Sequence, residues 1–184
     1  VTGATTVDGT RLELAVGDIT DQPDLDAVVN AANAQLTVGG GVAGAIHAAA
    51  GPELDRACRP LAPIAPGACV ATDAFRLPNR RVVHALGPVY GRDEPADQLL
   101  ASVYHCALAR AAEEGLTSIG FPAISTGAFG YPLRPAAEVA LGTVLATLAT
   151  ASSPPSPLRL VRFVLFSGSD LDVHAEVLDS LTRD

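Results

Sequence analysis

Residues 25–51 read LDAVVNAANAQLTVGGGVAGAIHAAAG, and the order of features in them decides the fold. Leu25 to Asn30 carries a β-branched pair that suits a central strand. A glycine-rich loop follows, and the alanine-rich stretch Ala43 to Cys58 is predicted as a helix. The unit is strand, loop, helix. The same succession returns at residues 117–150, where TSIGFP reads as a short strand, AISTGAFGYP as a loop, and about Pro135 to Thr150 as a helix. Proline at an early helical position removes no needed hydrogen bond.

Around these units the pattern stays regular. Thr10 to Val16 alternates polar and apolar residues, the period of a half-buried strand, and runs into GDIT. Two more strand candidates, Ala68 to Asp73 and Arg81 to Leu86, are joined by a turn at Leu77 to Arg80. Asp97 to Glu114 has helical apolar spacing and is closed by Gly115, and one strand and one helix follow Leu158. SSPPSP at Ser152 to Pro157 reads as a loop within one domain spanning residues 1–184. The expected fold is α/β, a three-layer α/β/α sandwich around a central mixed, mainly parallel sheet. In such sheets ligands bind outside the carboxyl ends of the strands, where both glycine loops fall.

Composition narrows the function. The chain has 184 residues, 48% of them hydrophobic, with no Trp, so its core is built mainly from Ala, Val, Leu and Ile. Twelve basic against twenty acidic residues give a net charge of −8, and no basic run exceeds Arg80 and Arg81. That balance argues against nucleic acid as a direct partner, and an anionic ligand must be held largely by backbone amides. The most apolar run, Ala136 to Ala151, is broken by Glu138 and Gly142 and reads as a buried helix, with no membrane partner expected. The three cysteines, Cys58, Cys69 and Cys106, have no C-x-x-C spacing and are expected as free thiols in the cytoplasm.

Two catalytic motifs are matched in letters only. Gly39, Gly41 and Gly44 spell G-x-G-x-x-G, but eight residues separate them from the strand, too many for a dinucleotide-binding turn. AISTG at Ala123 to Gly127 resembles a nucleophile elbow, with Ser125, Asp170 and His174 in the chain order of a serine hydrolase. Ala123 replaces the first glycine of that elbow, and Asp170 and His174 fall four apart on one expected helix. Taken singly, each glycine loop is also compatible with an ordinary turn, with Ser125 and Thr126 as a helix cap and His47 in the core. As a pair at sheet ends, the two loops form amide-lined concavities suited to a diphosphate.

GDIT at Gly17 to Thr20, VVNAAN at Val28 to Asn33, GGGVAGAIHAAAG at Gly39 to Gly51, VVHALGP at Val82 to Pro88 and FPAISTGAFGYP at Phe121 to Pro132 stand in macrodomain order and spacing. The chain resembles a macrodomain of the MacroD-like type from about Leu12 to Leu181. That resemblance implies ADP-ribose, free or attached to protein, as ligand. It implies that the Asp18 carboxylate takes the exocyclic amine of adenine, the Ile19 amide a ring nitrogen, and Phe166 the adenine face. Gly40, Gly41 and Val42 on one side, and Ser125, Thr126, Gly127, Ala128 and Gly130 on the other, would hold the diphosphate. Asn33 would bond the distal ribose hydroxyls and Phe129 would lie against that ribose; Asn30 is read as a structural strand-end residue.

The resemblance further implies hydrolysis of ADP-ribosyl esters, on mono-ADP-ribosylated Asp or Glu of proteins or on O-acetyl-ADP-ribose. Many relatives place an aspartate where this chain has Ala43, so the expected mechanism is substrate-assisted, with Asn33, Gly41 and Phe129 as the catalytic set. A non-catalytic reader of ADP-ribose is the alternative, and a serine hydrolase a remote one. No metal and no cofactor are expected.

Overall fold

The structure, a computed structural model, describes residues 3–150 and 155–183. Seven strands form one sheet: β1 (Ala4–Val7), β2 (Thr10–Val16), β3 (Ala27–Ala31), β4 (Cys69–Asp73), β5 (Arg81–Ala85), β6 (Ser118–Phe121) and β7 (Leu160–Leu165). Their order is β1-β2-β7-β6-β3-β5-β4. The five central strands run parallel, while β1 and β4 pair antiparallel at the two edges. The helices are α1 (Gly41–Ala50), α2 (Pro52–Cys58), α3 (Ala96–Glu113), α4 (Leu133–Ala149) and α5 (Gly168–Leu181). This is the expected mixed, mainly parallel α/β/α sandwich.

The period of two along each strand sorts side chains into two cores. From β3, Ala27 and Val29 join a cluster with α3, α4 and α5, while Val28 joins a smaller cluster with Ile46 of α1 and Leu54 of α2. In the larger core, Tyr104, Phe121 and Phe163 pack with ring centroids 5.1, 5.7 and 5.9 Å apart. Each fully buried Val, Leu, Ile or Phe contributes about 1.5–3 kcal/mol. The smaller face has a polar floor. Asn30 Nδ2 and His84 Nδ1 are 3.1 Å apart, and Thr72 Oγ1 lies 3.0 Å and Cys58 Sγ 3.6 Å from His84 Nε2. Burial, and then the neighbouring His47, push the His84 pKa down to about 4.

Three expectations change. A strand absent from the sequence reading, β1, forms a hairpin with β2 through Asp8 and Gly9, both at positive φ (45° and 80°), as an Asp-Gly turn favours. The helix expected over Ala43–Cys58 is two helices, because Gly51 adopts φ 87° and Pro52 starts α2. Cys69 and Cys106 are joined in a disulfide and only Cys58 is free, so three free thiols are not found. Cys69 on edge strand β4 and Cys106 on α3 are 37 residues apart in sequence and meet only through the fold. This removes the cysteine argument for a reducing compartment. Of the SSPPSP segment, residues 152–154 lie outside the described part. Among the described residues no helix is long and apolar enough to cross a membrane.

Candidate functional site

Two loops meet over the carboxyl ends of β3 and β6 and enclose a cleft of about 300 Å³. The first, residues 32–40, leaves β3, passes through a turn at Ala34 and Gln35 and enters α1. Buried Leu36 anchors it in the smaller core, and its backbone N–H donates to Asn33 O at 3.1 Å. The Asn33 side chain spans the loop: Nδ2 donates to Thr37 O (3.0 Å), and Oδ1 accepts from Thr37 N (3.1 Å). Gly44 closes the wall, since a Cβ there would stand 2.6 Å from Gly39 O. At the N-terminus of α1 no side chain caps the first-turn amides and no acidic residue stands in that turn. Those N–H groups lack intrahelical partners and lie where Gly41, Val42 and Ala43 line the cleft, at the positive end of the helix dipole.

The second loop, residues 122–132, joins β6 to α4. Tyr131 N donates to Ser125 O at 2.9 Å and Gly130 N to Gly127 O at 3.0 Å, which closes the loop on itself. Ser125 holds φ 67°, a left-handed conformation costly for a residue with a Cβ. Its hydroxyl is buried with no hydrogen-bond partner among the described residues. Gly87, at the end of β5, lies beneath it, and a Cβ there would come within 2.2 Å of Ser125 Oγ. A strained residue and an orphaned hydroxyl in one cleft mark a functional position.

The cleft is lined by eight of the expected residues: Asn33 and Gly40 from the first loop, Gly41 and Val42 from the start of α1, and Ser125, Gly127, Ala128 and Phe129 from the second loop. Thr126 and Gly130 belong to the second loop but do not line the cleft; Thr126 Oγ1 donates to Ala123 O at 2.8 Å. Ser125 and Thr126 are not the cap of α4, which follows Pro132 and has no side-chain cap. Asp18, Ile19 and Phe166 stand apart, at the ends of the neighbouring strands β2 and β7. Phe166 is 94% exposed, and Ile19 is buried in the smaller core, so only its backbone is available. Asp18 Oδ1 accepts from Thr20 N (2.8 Å) and Thr20 Oγ1 (2.7 Å), and these bonds hold its carboxyl below the usual range. All thirteen positions thus follow the carboxyl ends of four successive parallel strands, β2, β7, β6 and β3.

The chain and the fold that hold these positions have known relatives. The Macro domain family matches residues 29–140. This chain belongs to the macrodomain family. It is 46% identical over 172 residues to a Macro domain-containing protein of Streptomyces griseus, covering 90% of each. It is 44% identical over 173 residues to the O-acetyl-ADP-ribose deacetylase of Klebsiella pneumoniae, covering 91% of this chain and 96% of that one. Its fold superposes on the Oceanobacillus iheyensis macrodomain with ADP at a TM-score of 0.92, with 38% identity and 98% and 96% coverage. The Trypanosoma brucei macrodomain in complex with ADP-ribose gives 0.82 and 39%, covering 90% of this chain and 68% of that one.

Several lining residues of this macrodomain escaped the sequence reading as site residues, among them Gly87 and Ala31. Gly87 lies inside the quoted VVHALGP, where a glycine directly after a strand was the available sign. The serine-hydrolase constellation is not assembled. His174 sits in the larger core 5.8 Å from Phe163, its Nδ1 2.8 Å from Asp170 O, while Ser125 Oγ has no partner. Asn30 lies in the polar floor and not in the cleft. His47 is likewise outside it, a buried residue of α1 at the edge of a separate shallow hollow. Among the described residues no group of three or more His, Cys, Asp or Glu is placed to hold a metal ion.

Proposed function

We propose that this macrodomain binds ADP-ribose and hydrolyses ADP-ribosyl esters, releasing mono-ADP-ribose from Asp or Glu side chains of proteins and deacetylating O-acetyl-ADP-ribose. The observation that carries the reading is a cleft lined by two amide-rich loops with no ionisable side chain among its lining residues, set against the uncapped N-terminus of α1. An acidic protein can hold a diphosphate there without a basic residue. The ADP-ribose complex of the Trypanosoma brucei relative supports the ligand, and the deacetylase of Klebsiella pneumoniae supports the ester chemistry.

The chemistry follows from what the cleft lacks. Asn33 and Ser125 supply its side-chain amide and hydroxyl, and Ala43, 4% exposed, presents a methyl where many relatives carry aspartate. No protein carboxylate is there to activate water. The amides of Gly40, Gly41 and Val42 bend the diphosphate so that a phosphate oxygen orients the water toward the anomeric carbon. Asn33 Nδ2 retains one N–H for the distal ribose, and Phe129 restricts that sugar as positive charge develops on it. A carboxylate leaves without a general acid, since its conjugate acid has a pKa of about 4. Arginine and serine linkages, with poorer leaving groups, resist cleavage.

Ala43 also favours a second reading, a reader that binds ADP-ribose without turnover. A substrate mono-ADP-ribosylated on glutamate separates the two. Release of ADP-ribose within hours is expected, and label retained at stoichiometric protein establishes the reader. Asp18→Ala weakens ADP-ribose binding in either case, by about 1–3 kcal/mol for a lost charge-assisted bond; absence of any calorimetric heat with wild-type protein at millimolar ADP-ribose refutes both.

A further inference from the structure

The turn that carries Asp18 is exposed and follows a strand near the sheet edge, yet it is held by side chains outside the cleft. Gln22 Nε2 donates to Asp18 O at 2.9 Å, and Gln22 Oε1 accepts from Arg162 Nη1 at 2.9 Å. Arg162, 13% exposed on β7, also donates to Glu13 Oε2 (2.9 Å) and grips both oxygens of Asp24 (2.9 and 2.7 Å). The backbone of Gln22 is fixed as well: its carbonyl accepts from Asn79 Nδ2 at 2.8 Å and from Leu25 N at 3.1 Å. Asp18 is therefore held at both ends, its carboxylate by Thr20 and its carbonyl by Asp21 N (3.1 Å) and Gln22.

From this relay, Glu13 to Arg162 to Gln22 to Asp18, we infer that Gln22 is a positioning residue for base selectivity: it orients the Asp18 turn so that its carboxylate and the Ile19 amide read adenine. The inference rests on the proposed ADP-ribose reading. An amide is the side chain the place requires, because one end must accept from a guanidinium and the other must donate to a carbonyl. A glutamate keeps the first bond and forfeits the second, which makes Gln22→Glu the informative variant. Its carboxylate still pairs with Arg162, so the polar cluster keeps its charge partner while the Asp18 carbonyl loses one donor.

The test compares ADP-ribose with inosine diphosphate ribose, which carries a carbonyl in place of the adenine amine, by calorimetry on wild type, Gln22→Glu and Gln22→Ala. Wild type is expected to prefer ADP-ribose by about tenfold, the worth of one hydrogen bond to a charged acceptor. Gln22→Glu is expected to reduce that preference to about threefold or less while its Tm stays within about 2 °C of wild type. Gln22→Ala, which loses both bonds, is expected to lose the preference and some Tm. A merely structural residue would lower Tm and leave the base preference of the folded fraction unchanged. Wild-type selectivity retained by a folded Gln22→Glu overturns the inference, as does equal wild-type affinity for the two ligands. If wild type binds neither, the ADP-ribose reading itself fails.

Discussion

Each cleft loop turns on a left-handed residue that carries a Cβ, Leu36 at φ 56° in the first and Ser125 at φ 67° in the second, but only Ser125 adds a buried hydroxyl with no partner among the described residues. Their supports differ as well. Beneath the first loop and α1 lies the polar floor of Asn30, His84, Thr72 and Cys58, with His47 of α1 facing His84. Beneath the second lies the aromatic core, where Tyr104 Oη accepts from Ile124 N at 3.3 Å. One wall of the cleft thus stands over a titratable floor, and the other over an apolar one. Acid should disturb the first, and packing changes the second.

The largest expected effect is that of pH on the first wall. His84 is neutral when folded, with a pKa lowered to about 4, whereas the unfolded chain takes up a proton near 6.5. Stability is therefore complete above pH 6.5 and falls as the pH drops from there toward 4, by about 2.5 kcal/mol at pH 4.5. Urea unfolding at pH 7 and 4.5 measures this. His84→Gln, which keeps donor and acceptor atoms but does not titrate, should lose about that much less over the same range. Equal losses in the two proteins would place the acid sensitivity elsewhere.

Next comes Gly87→Ala, aimed at the second wall. The new methyl would meet Ser125 Oγ at 2.2 Å and Ile124 Cγ2 at 2.6 Å, neither of which is the far end of a long side chain. A cost of about 2 kcal/mol is expected. ADP-ribose binding should weaken with it, because Ser125 and Ile124 must shift into the cleft. Unchanged Tm and affinity together would show that the second loop yields freely.

How far this contrast could be read from sequence depends on range. The glycine run before AIHAAA and the STG after a short strand are local, and they placed both loops; the eight lining residues came with the family resemblance. Distant partners left no such trace. Cys69 and Cys106 carry no spacing that announces a bond, and Gln22 has meaning only once β7 brings Arg162 beside it. Strand β1 and the break at Gly51 were legible in principle, through Asp8-Gly9 and Gly51-Pro52, but four residues of edge strand and an unbroken alanine pattern outweighed them.

A smaller effect of opposite sign is expected from Ser125→Gly. Glycine occupies φ 67° without the cost of about 1–2 kcal/mol a Cβ incurs, and the buried hydroxyl is gone. Against this stands about 0.5–1 kcal/mol of added chain entropy in the unfolded state. The folded protein should gain about 1 kcal/mol, a rise of about 3 °C in Tm, while ADP-ribose affinity falls. A gain in stability coupled to a loss of binding is what strain kept for function predicts; a loss in both would mean that the hydroxyl has a structural partner.

The smallest effect on stability belongs to Gly40→Ala in the first loop, and it separates cradle from scaffold most cleanly. Gly40 sits at φ −83° and ψ 178°, an ordinary extended conformation, and a Cβ there would meet nothing within 4 Å. Unlike Gly41 or Gly44, it has no backbone or packing reason to be glycine, and alanine should shift stability by no more than about 0.5 kcal/mol. The space the methyl enters is that of the proposed diphosphate. Calorimetry should therefore show weaker ADP-ribose binding at an unchanged Tm, a pattern that neither Gly87→Ala nor acid can produce. Full affinity in Gly40→Ala would mean that the diphosphate lies against the second loop alone. The uncapped amides of α1 would then need another ligand.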